Sequence, residues 1–294
     1  MKIEAYAKIN LTLDIVSKRP DGYHDLIMIM QSVGLHDDVT VNLNDSGKIA
    51  VKSSSALLLD DESNIAYKAA KAFFEYSGIQ SQGVEIEIQK NIPMEAGMAG
   101  GSADGAAVIR ALNELCGTGY SDETLWEIGV KVGADVPFCI TGGTMLSEGK
   151  GEILSSLPKM SDFDKQPVIL LCKPDVGVST GKAYAAVDNC DAASIVRPNT
   201  EGMIDALRDM DTAGLAKNLS NVFEQVLNID ECNAIKDVML AHGALGACMT
   251  GSGTTVFGIF DNENTTKQCS FTLSEDYKNT YITRASDCGC KIVE

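Results

Sequence analysis

The sequence has little positive charge and few aromatic side chains, and it lacks any long apolar run. Of its 294 residues, 24 are Lys or Arg and 41 are Asp or Glu, so the formal net charge is -17. Non-specific nucleic-acid binding depends on basic side chains that neutralise phosphates, and this charge balance argues against it. An anionic ligand would have to be held locally, by backbone amides and a few basic residues. No stretch approaches the roughly 18 apolar residues of a membrane span, so we expect no membrane partner.

Features that indicate secretion or a structural metal are also missing. Residues 1–8 contain no apolar run of the kind found in a secretory signal, so we expect a cytoplasmic protein. The nine cysteines have scattered spacings and form no CxxC pair, which predicts free thiols in a reducing compartment. Cys288 and Cys290 flank one glycine, but such a pair supplies only two of the usual four zinc ligands. We therefore predict no metal site formed by the protein alone.

The length and the patterning predict an α+β protein of two domains, residues 1–158 and 159–294, joined through a polar stretch near 158–164. Alternating or apolar runs predict strands at 1–16, 25–33, 37–43, 48–52, 84–88, 168–172, 245–249, 256–260 and 281–285. In the first of these, one face is expected to be buried and the other, with Lys8 and Asn10, to be polar. Helical patterns cover 64–77, the segment from the N-cap Ser102 to Cys116, 122–132, 180–188, 201–209, 212–227 and 231–242.

The most informative stretch is a glycine-rich loop that leads into a helix. Gly97, Gly100 and Gly101 are followed at once by Ser102, and glycines allow backbone N–H groups to converge. Converging amides at a helix N-terminus form an anion site that commonly holds phosphate. The loop matches neither the Walker A nor the Rossmann fingerprint, and an ordinary turn before a helix is the plain alternative.

Two charged residues could supply the chemistry that a phosphate site needs. Asp135, in the run Gly-Ala-Asp-Val-Pro, is the best candidate for a general base, although an isolated Asp near a turn is often only a helix cap or a solvated carboxylate. Lys8 lies on the first strand and could stabilise a developing alkoxide if it meets Asp135. A solvated strand lysine is the alternative for Lys8.

Two further segments could contact a ligand. Tyr23 and His24 follow a turn at 19–22 and could stack on a planar ring and hydrogen-bond to its edge, or Tyr23 could simply pack at the domain edge. The small-residue loop at Gly251, Ser252 and Gly253 is a second possible phosphate contact, or only a tight turn between strands.

Three segments together resemble the GHMP kinase superfamily: 7–11, 93–107 and 250–254. Residues 21–24 and 133–137 are similar to the branch that phosphorylates a methylerythritol linked to cytidine diphosphate, in the non-mevalonate isoprenoid pathway. The resemblance implies an ATP-dependent kinase. It also implies a ribosomal-protein-like N-terminal domain and a ferredoxin-like α/β sandwich as C-terminal domain, with the active site in the cleft between them.

The resemblance also implies a role for individual residues. Asp135 would be the general base, Lys8 its electrostatic partner, and Asn10 would help to hold the substrate. Tyr23, His24 and Tyr184 would bind the cytosine of a small-molecule substrate that carries cytidine diphosphate. ATP, accompanied by Mg2+, would be bound by Pro93, Gly97, Met98, Ala99, Gly100, Gly101, Ser102 and Asn64. The resemblance leaves open a monomer or a weak homodimer.

Three positions depart from the pattern of that superfamily. Glu95 stands where a small residue is usual and brings a carboxylate to a phosphate loop. Met98 replaces a leucine of similar volume, and we expect it to be tolerated. Gly105 replaces an alanine and should weaken the start of its helix by up to about 1 kcal/mol.

Two alternative functions remain open from the sequence. A related kinase for mevalonate or homoserine would share the loops, but such a substrate has no nucleobase for Tyr23, His24 and Tyr184 to bind. A non-catalytic nucleotide-binding protein could keep the fold, but it would not need both Lys8 and Asp135.

Overall fold

The secondary structure is that of a mixed α+β chain, seen in a computed structural model that describes residues 1–79 and 83–294. The strands are β1 (Lys2–Lys18), β2 (His24–Leu43), β3 (Ile49–Ser53), β4 (Val84–Gln89), β5 (Thr144–Gly149), β6 (Ile153–Ser156), β7 (Val168–Lys173), β8 (Ser220–Asn221), β9 (Gly246–Met249), β10 (Val256–Phe260), β11 (Asn279–Thr283) and β12 (Cys290–Ile292). The helices are α1 (Ile65–Ser77), α2 (Gly100–Leu115), α3 (Asp122–Val130), α4 (Val136–Thr141), α5 (Thr180–Asp188), α6 (Thr200–Arg208), α7 (Thr212–Lys217), α8 (Val222–Leu227), α9 (Asp230–Ala241) and α10 (Glu263–Asp276).

The described strands are arranged in two sheets. The first has the order β12-β1-β2-β4-β3, and β5, β6 and β8 extend it; the second is antiparallel throughout, in the order β11-β7-β10-β9. The α+β architecture expected from the sequence is confirmed. A boundary at 158/159 falls between β6 and β7, yet β8 and β12 return to pair with β1 of the first sheet. The exact division into domains therefore stays a prediction.

Strand β1 lies at the centre of the molecule and is buried on both faces from Ala7 to Leu13. The prediction of one buried and one polar face was wrong for this segment. Lys8 is 4% exposed and Asn10 is 0% exposed. Asn10 is contacted by Thr250 and Gly251 from the second half of the chain. Register shifts between Tyr6 and Lys8 and between Asn10 and Thr12 interrupt the regular alternation, as β-bulges do.

Two predicted elements have different limits in the structure. The segments 25–33 and 37–43 belong to one strand, β2, which continues through Gly34 although its pairing with β1 shifts register between Ser32 and His36. The predicted helix 212–227 is divided into α7 and α8, because Ser220 and Asn221 leave the helix to pair with β1. The side chain of Asn221 then donates to the carbonyls of Met249 (2.7 Å) and Gly251 (2.9 Å). The break between α7 and α8 thus places Asn221 where it can support the loop at Gly251, Ser252 and Gly253.

Several elements were absent from the sequence-based prediction. They are β5, β6, β12, α4 and α10, all short or weakly apolar segments. Gly105, expected to weaken α2, has a packing role: a Cβ there would lie 2.9 Å from Cγ2 of Ile65, so its absence lets α1 and α2 pack closely. In the described part of the chain, no helix is both long and apolar enough to cross a membrane.

The C-terminal segment packs tightly against the turn that ends α4. Gly142 has φ +72°, and a Cβ there would lie 1.9 Å from the backbone nitrogen of Gly289. The amide of Gly289 also donates to the carbonyl of Thr141 (2.9 Å). The last residues of the chain therefore hold α4, whose N-cap is Asp135, against the first sheet.

We expect Gly142→Ala to lower the free energy of unfolding by about 2–3 kcal/mol, because the new methyl group would overlap the backbone of Gly289 in a left-handed conformation. Gly117→Ala is the matched control: its φ is +61°, but no atom lies within 4 Å of the added Cβ. That control should lose only about 1 kcal/mol, the cost of the backbone conformation alone. Equal losses in urea denaturation would contradict the packing role of Gly142.

Candidate active site

A cleft of about 1070 Å³ is lined by residues from both halves of the chain. It brings together the candidate site residues from the sequence: Lys8, Tyr23, His24, Asn64, Pro93, Gly97, Met98, Ala99, Gly100, Gly101, Ser102, Asp135, Tyr184, Gly251, Ser252 and Gly253. Asn10 lies behind the cleft wall and is fully buried. The cleft also contains residues that the sequence analysis did not single out, among them Lys90, Asp104 and Lys150.

The glycine-rich loop ends at the N-terminus of α2, as the sequence predicts, but the capping residue differs. The N-cap is Ala99, with φ +57°, and it makes no side-chain cap. Ser102 is the third residue of the helix, so its prediction as N-cap was wrong; Gly100 and Gly101 let the helix begin three residues earlier. In this turn, Ala103 N donates to the carbonyl of Ala99 (2.9 Å). The amides before Ala103 therefore need acceptors from outside the helix.

The two glycine-rich loops touch each other through their backbones. A Cβ on Gly97 would lie 2.3 Å from the carbonyl oxygen of Thr250, and one on Gly251 would lie 2.7 Å from the carbonyl oxygen of Gly97. Both residues have a positive φ, +69° and +57°. Only glycine fits both the conformation and the contact. The second loop therefore lies beside the first at the cleft, where a phosphate could reach either.

The buried amide of Asn10 links Lys8 to the second loop. Its Oδ1 accepts from Lys8 Nζ (2.7 Å), Gly251 N (3.0 Å) and Thr250 Oγ1 (3.3 Å). The backbone nitrogen of Asn10 donates to Thr250 Oγ1 (2.9 Å), and the backbone nitrogen of Lys8 donates to the carbonyl of Met98 (3.1 Å). Lys8 and both loops are thus fixed relative to one another.

Asp135 is half-buried in the cleft at the start of α4, and its side chain makes no cap hydrogen bond. Its side chain is therefore not engaged as a helix cap, and a solvated carboxylate stays the alternative to a general base. In the described part of the chain Lys8 donates to Asn10 and no ion pair joins it to Asp135. Both act on the same neighbour: burial raises the pKa of the Cys139 thiol, the charge of Asp135 raises it further, and Lys8 opposes this. Lys8 and Asp135 both line the cleft.

The residues expected to bind a base lie at one end of the cleft. Tyr23 is 61% exposed, and Lys150 Nζ lies 4.7 Å from the centre of its ring. His24 is buried and stacks on Tyr184 with a ring separation of 4.6 Å and an interplanar angle of 19°. Burial raises the pKa of Tyr184 to about 12, and the charge of Asp135 contributes, so the phenol stays protonated. One face of Tyr184 is thus already covered by the imidazole.

An ion cluster beneath the phosphate loop was missed by the sequence analysis. Lys90 Nζ donates to Asp104 Oδ2 (2.8 Å) and to Asp37 Oδ2, and all three side chains are buried. Burial alone would lower the pKa of Lys90, but the two carboxylates outweigh it and raise that pKa. Burial raises the pKa of Asp104. The available signal was a charged residue, Asp104, within the apolar first turns of α2.

Glu95 lies in the phosphate loop with φ +51° and is exposed at the cleft. Its Oε2 lies 3.3 Å from the place that a Cβ on Gly177 would take. The side chain therefore extends across the cleft toward the segment that follows β7.

Comparisons with known proteins identify relatives along nearly the whole chain. Residues 64–143 match the family described as GHMP kinases N terminal domain, and residues 203–279 match GHMP kinases C terminal. The chain is 41% identical to the 4-diphosphocytidyl-2-C-methyl-D-erythritol kinase of Clostridium acetobutylicum, over 97% of this chain and 99% of that protein. It is 48% identical to the kinase of the same name from Caldicellulosiruptor saccharolyticus, over 90% of this chain and 89% of that protein.

Some solved structures share this fold although their sequence identity to the chain is low. A crystal structure of 4-(cytidine 5'-diphospho)-2C-methyl-D-erythritol kinase has a TM-score of 0.79 at 27% identity, covering 97% of this chain and 99% of that one. A homoserine kinase from Cytophaga hutchinsonii has a TM-score of 0.81 at 21% identity, covering 100% of this chain and 97% of that one. The second likeness concerns the fold alone, and the fold does not distinguish the substrates.

We expect Asn10→Ala to weaken ATP binding by at least about tenfold, because Lys8 and the loop at Thr250 and Gly251 would lose their common acceptor. Asn113→Ala is the matched control, since Asn113 is also buried and accepts from Thr118 Oγ1 (2.6 Å) and Tyr120 N (2.9 Å), away from the cleft. Both variants should lose about 1–3 kcal/mol of stability. Calorimetric titration would contradict the role of Asn10 if the two variants bound ATP equally well.

Proposed function

Because the chain belongs to the 4-diphosphocytidyl-2-C-methyl-D-erythritol kinases of the GHMP kinase family, we propose that its cleft transfers the γ-phosphoryl group of ATP to a hydroxyl of the methylerythritol part of that substrate. The chain is an ATP-dependent small-molecule kinase, and the reaction belongs to the non-mevalonate isoprenoid pathway. The observation that carries the proposal is a single cleft lined by the glycine-rich loops, Lys8, Asp135 and the residues suited to a base.

The phosphate end of the cleft suits a nucleotide held by backbone amides. The amides at the start of α2 have no acceptor within the helix, and they lie at the positive end of its dipole. The loop at Gly251 is adjacent and adds further backbone donors. Asn64 also lines this part of the cleft, but both ends of its amide are engaged, with Ala66 N (2.9 Å) and with the carbonyl of Leu59 (2.9 Å). We propose that it shapes the nucleotide site.

We propose direct in-line transfer with Asp135 as the base. The substrate hydroxyl gives its proton to the Asp135 carboxylate while its oxygen forms a bond to the γ-phosphorus. The bond from that phosphorus to the β,γ-bridging oxygen breaks, and ADP leaves with the electron pair. Lys8 stabilises the negative charge at the reacting oxygens. The free, half-buried carboxylate of Asp135 supports this role, because it is not engaged as a helix cap.

Asn10 is proposed as a positioning residue. The sequence resemblance implies that it helps to hold the substrate, but its side chain is fully buried and its oxygen accepts from Lys8. This geometry supports an indirect role, in which Asn10 fixes the ammonium of Lys8 and the second loop.

We propose that Tyr23 stacks on the cytosine and that His24 contacts its edge. Tyr23 is exposed and free to cover a ring, whereas His24 is held flat on Tyr184. Tyr184 would then act mainly through His24, because that imidazole covers one of its faces.

We infer that Mg2+ accompanies ATP. No three metal-ligating side chains cluster in residues 1–79 and 83–294, so the ion would be held mainly by the nucleotide. Asp104 lines the cleft, and its buried Oδ1 has no hydrogen-bond partner among the described residues, which supports a hard cation nearby. When bound, the ion would neutralise charge on the β- and γ-phosphates.

The finer description of the fold and its setting is also part of the proposal. The four-stranded antiparallel sheet of the second half supports a ferredoxin-like C-terminal domain, and the larger sheet supports a ribosomal-protein-like N-terminal domain. A cytoplasmic location and a monomeric or weakly dimeric state stay predictions from the sequence.

The direct test of the function is ADP release from ATP and Mg2+ with different acceptors. We expect turnover with 4-diphosphocytidyl-2-C-methyl-D-erythritol and none above background with mevalonate or homoserine, because only the first carries a base for Tyr23 and His24. Preferential turnover of either other alcohol would contradict the proposed substrate.

We expect Asp135→Asn to reduce kcat by about 10²–10⁴-fold, because the amide cannot accept the hydroxyl proton. ATP binding should stay within about threefold of the wild type, since the loops are unchanged. Asp211→Asn is the matched control: Asp211 caps α7 through Ala213 N (3.0 Å), a bond that asparagine can also accept. Steady-state kinetics in which Asp135→Asn turned over as fast as that control would overturn the assignment.

A further inference from the structure

The imidazole of His24 is anchored by an aspartate from the second half of the chain. We propose that Asp188 is a positioning residue that fixes the tautomer of His24 and thereby makes the site prefer cytosine to uracil. The inference rests on the proposed function and names the residue that determines base selectivity in that same site.

The contact between Asp188 and His24 defines which ring nitrogen carries the proton. Asp188 Oδ1 lies 2.8 Å from His24 Nε2, and Lys18 Nζ lies 2.5 Å from Asp188 Oδ2. The hydrogen bond from Lys18 and then that from His24 lower the pKa of Asp188, so its carboxylate is ionised at neutral pH. An ionised carboxylate can only accept hydrogen bonds. The proton of a neutral His24 therefore lies on Nε2, and Nδ1 is an acceptor.

Packing restrains the imidazole of His24 from flipping, which would exchange the positions of Nδ1 and Nε2. The side chain of His24 is 7% exposed and lies flat on Tyr184, which in turn packs edge-on against Phe223 at 5.0 Å and 85°. In the described part of the chain no hydrogen bond engages Nδ1, and His24 lines the cleft. One acceptor of fixed identity is thus available at the end of the cleft where the base would bind.

A single acceptor can distinguish the two pyrimidines. Cytosine carries an amino group at C4, which donates, whereas uracil carries a carbonyl oxygen there, which only accepts. If Nδ1 of His24 faces C4 of the base, the amino group of cytosine can donate a hydrogen bond to it. The carbonyl oxygen of uracil cannot, because its lone pair would face the lone pair of Nδ1. Tyr23 cannot supply this preference, because stacking on an aromatic ring tolerates any base. The preference for cytosine over uracil must therefore come from contacts to the edge of the base, and in this proposal it comes from the tautomer of His24.

The first test compares the binding of CDP and UDP by calorimetry at mildly alkaline pH, which favours neutral imidazole. We expect the wild type to bind CDP at least about tenfold more tightly than UDP. In Asp188→Asn the ratio should fall to within about threefold, because the amide can accept from or donate to Nε2 and so permits both tautomers. The variant is isosteric, so a merely structural role for Asp188 would leave the ratio unchanged.

Lys18→Met is the matched control, since it removes the exposed partner of Asp188 and leaves the bond to His24. It should keep the wild-type ratio. A ratio in Asp188→Asn equal to that of the wild type, or a wild type that prefers UDP, would overturn the inference.

The second test reads the tautomer directly by NMR of protein labelled with 15N at histidine, which is tractable because the chain has three histidines. We expect the Nε2–H form of His24 in the wild type and a mixture of tautomers in Asp188→Asn. An Nδ1–H form in the wild type would overturn the inference. The proposed function is tested separately: if the wild type phosphorylates the cytidyl substrate while the base ratio does not respond to Asp188, only this inference fails.

Discussion

The amide oxygen of Asn10 is the acceptor on which the geometry of the cleft depends. It lies on the buried central strand β1 and receives donors from Lys8, Thr250 and Gly251, which belong to distant parts of the chain. Leaving this buried oxygen without hydrogen-bond donors would cost about 1–3 kcal/mol of stability. The need to satisfy it therefore keeps the three donors together. The contact between the backbones of Gly97 and Gly251 then joins the second loop to the first. One hydrogen-bonding centre thus sets the distance between the phosphate loops and the ammonium of Lys8.

The charges in the cleft divide into paired and available groups. Lys90 is engaged by two buried carboxylates, so its charge is already compensated within the protein. Lys8 is equally buried, but its hydrogen-bond partner is the neutral amide of Asn10. This arrangement supports the proposal that the charge of Lys8 attracts a polyphosphate into the cleft of a protein whose net charge is -17. Backbone amides can supply the remaining hydrogen-bond donors for a phosphate without further basic side chains.

The sequence predicts the parts of this site that have a local pattern. The glycine spacing at 97–101 predicts a phosphate loop and the run around Asp135 predicts a base, because small residues and turns leave a clear signal. Both segments line the cleft, and their roles stay predictions. The burial of Asn10 could not be predicted, since it depends on the second half of the chain covering β1. Helix α10 has only Thr266, Cys269 and Leu273 buried, a helical spacing too weakly apolar to recognise alone. The contact of Asp188 with His24 joins residues 164 positions apart and has no local signal.

The central claim is that one cleft carries out direct transfer from ATP to the cytidyl substrate, with no phosphorylated enzyme between them. The measurement that tests it most directly is the stereochemical course of transfer from ATP made chiral at the γ-phosphorus with oxygen isotopes. A single in-line displacement, with Asp135 as base and Lys8 beside the reacting oxygens, predicts inversion at phosphorus. Retention would require two displacements and a phosphorylated residue, and it would contradict this account.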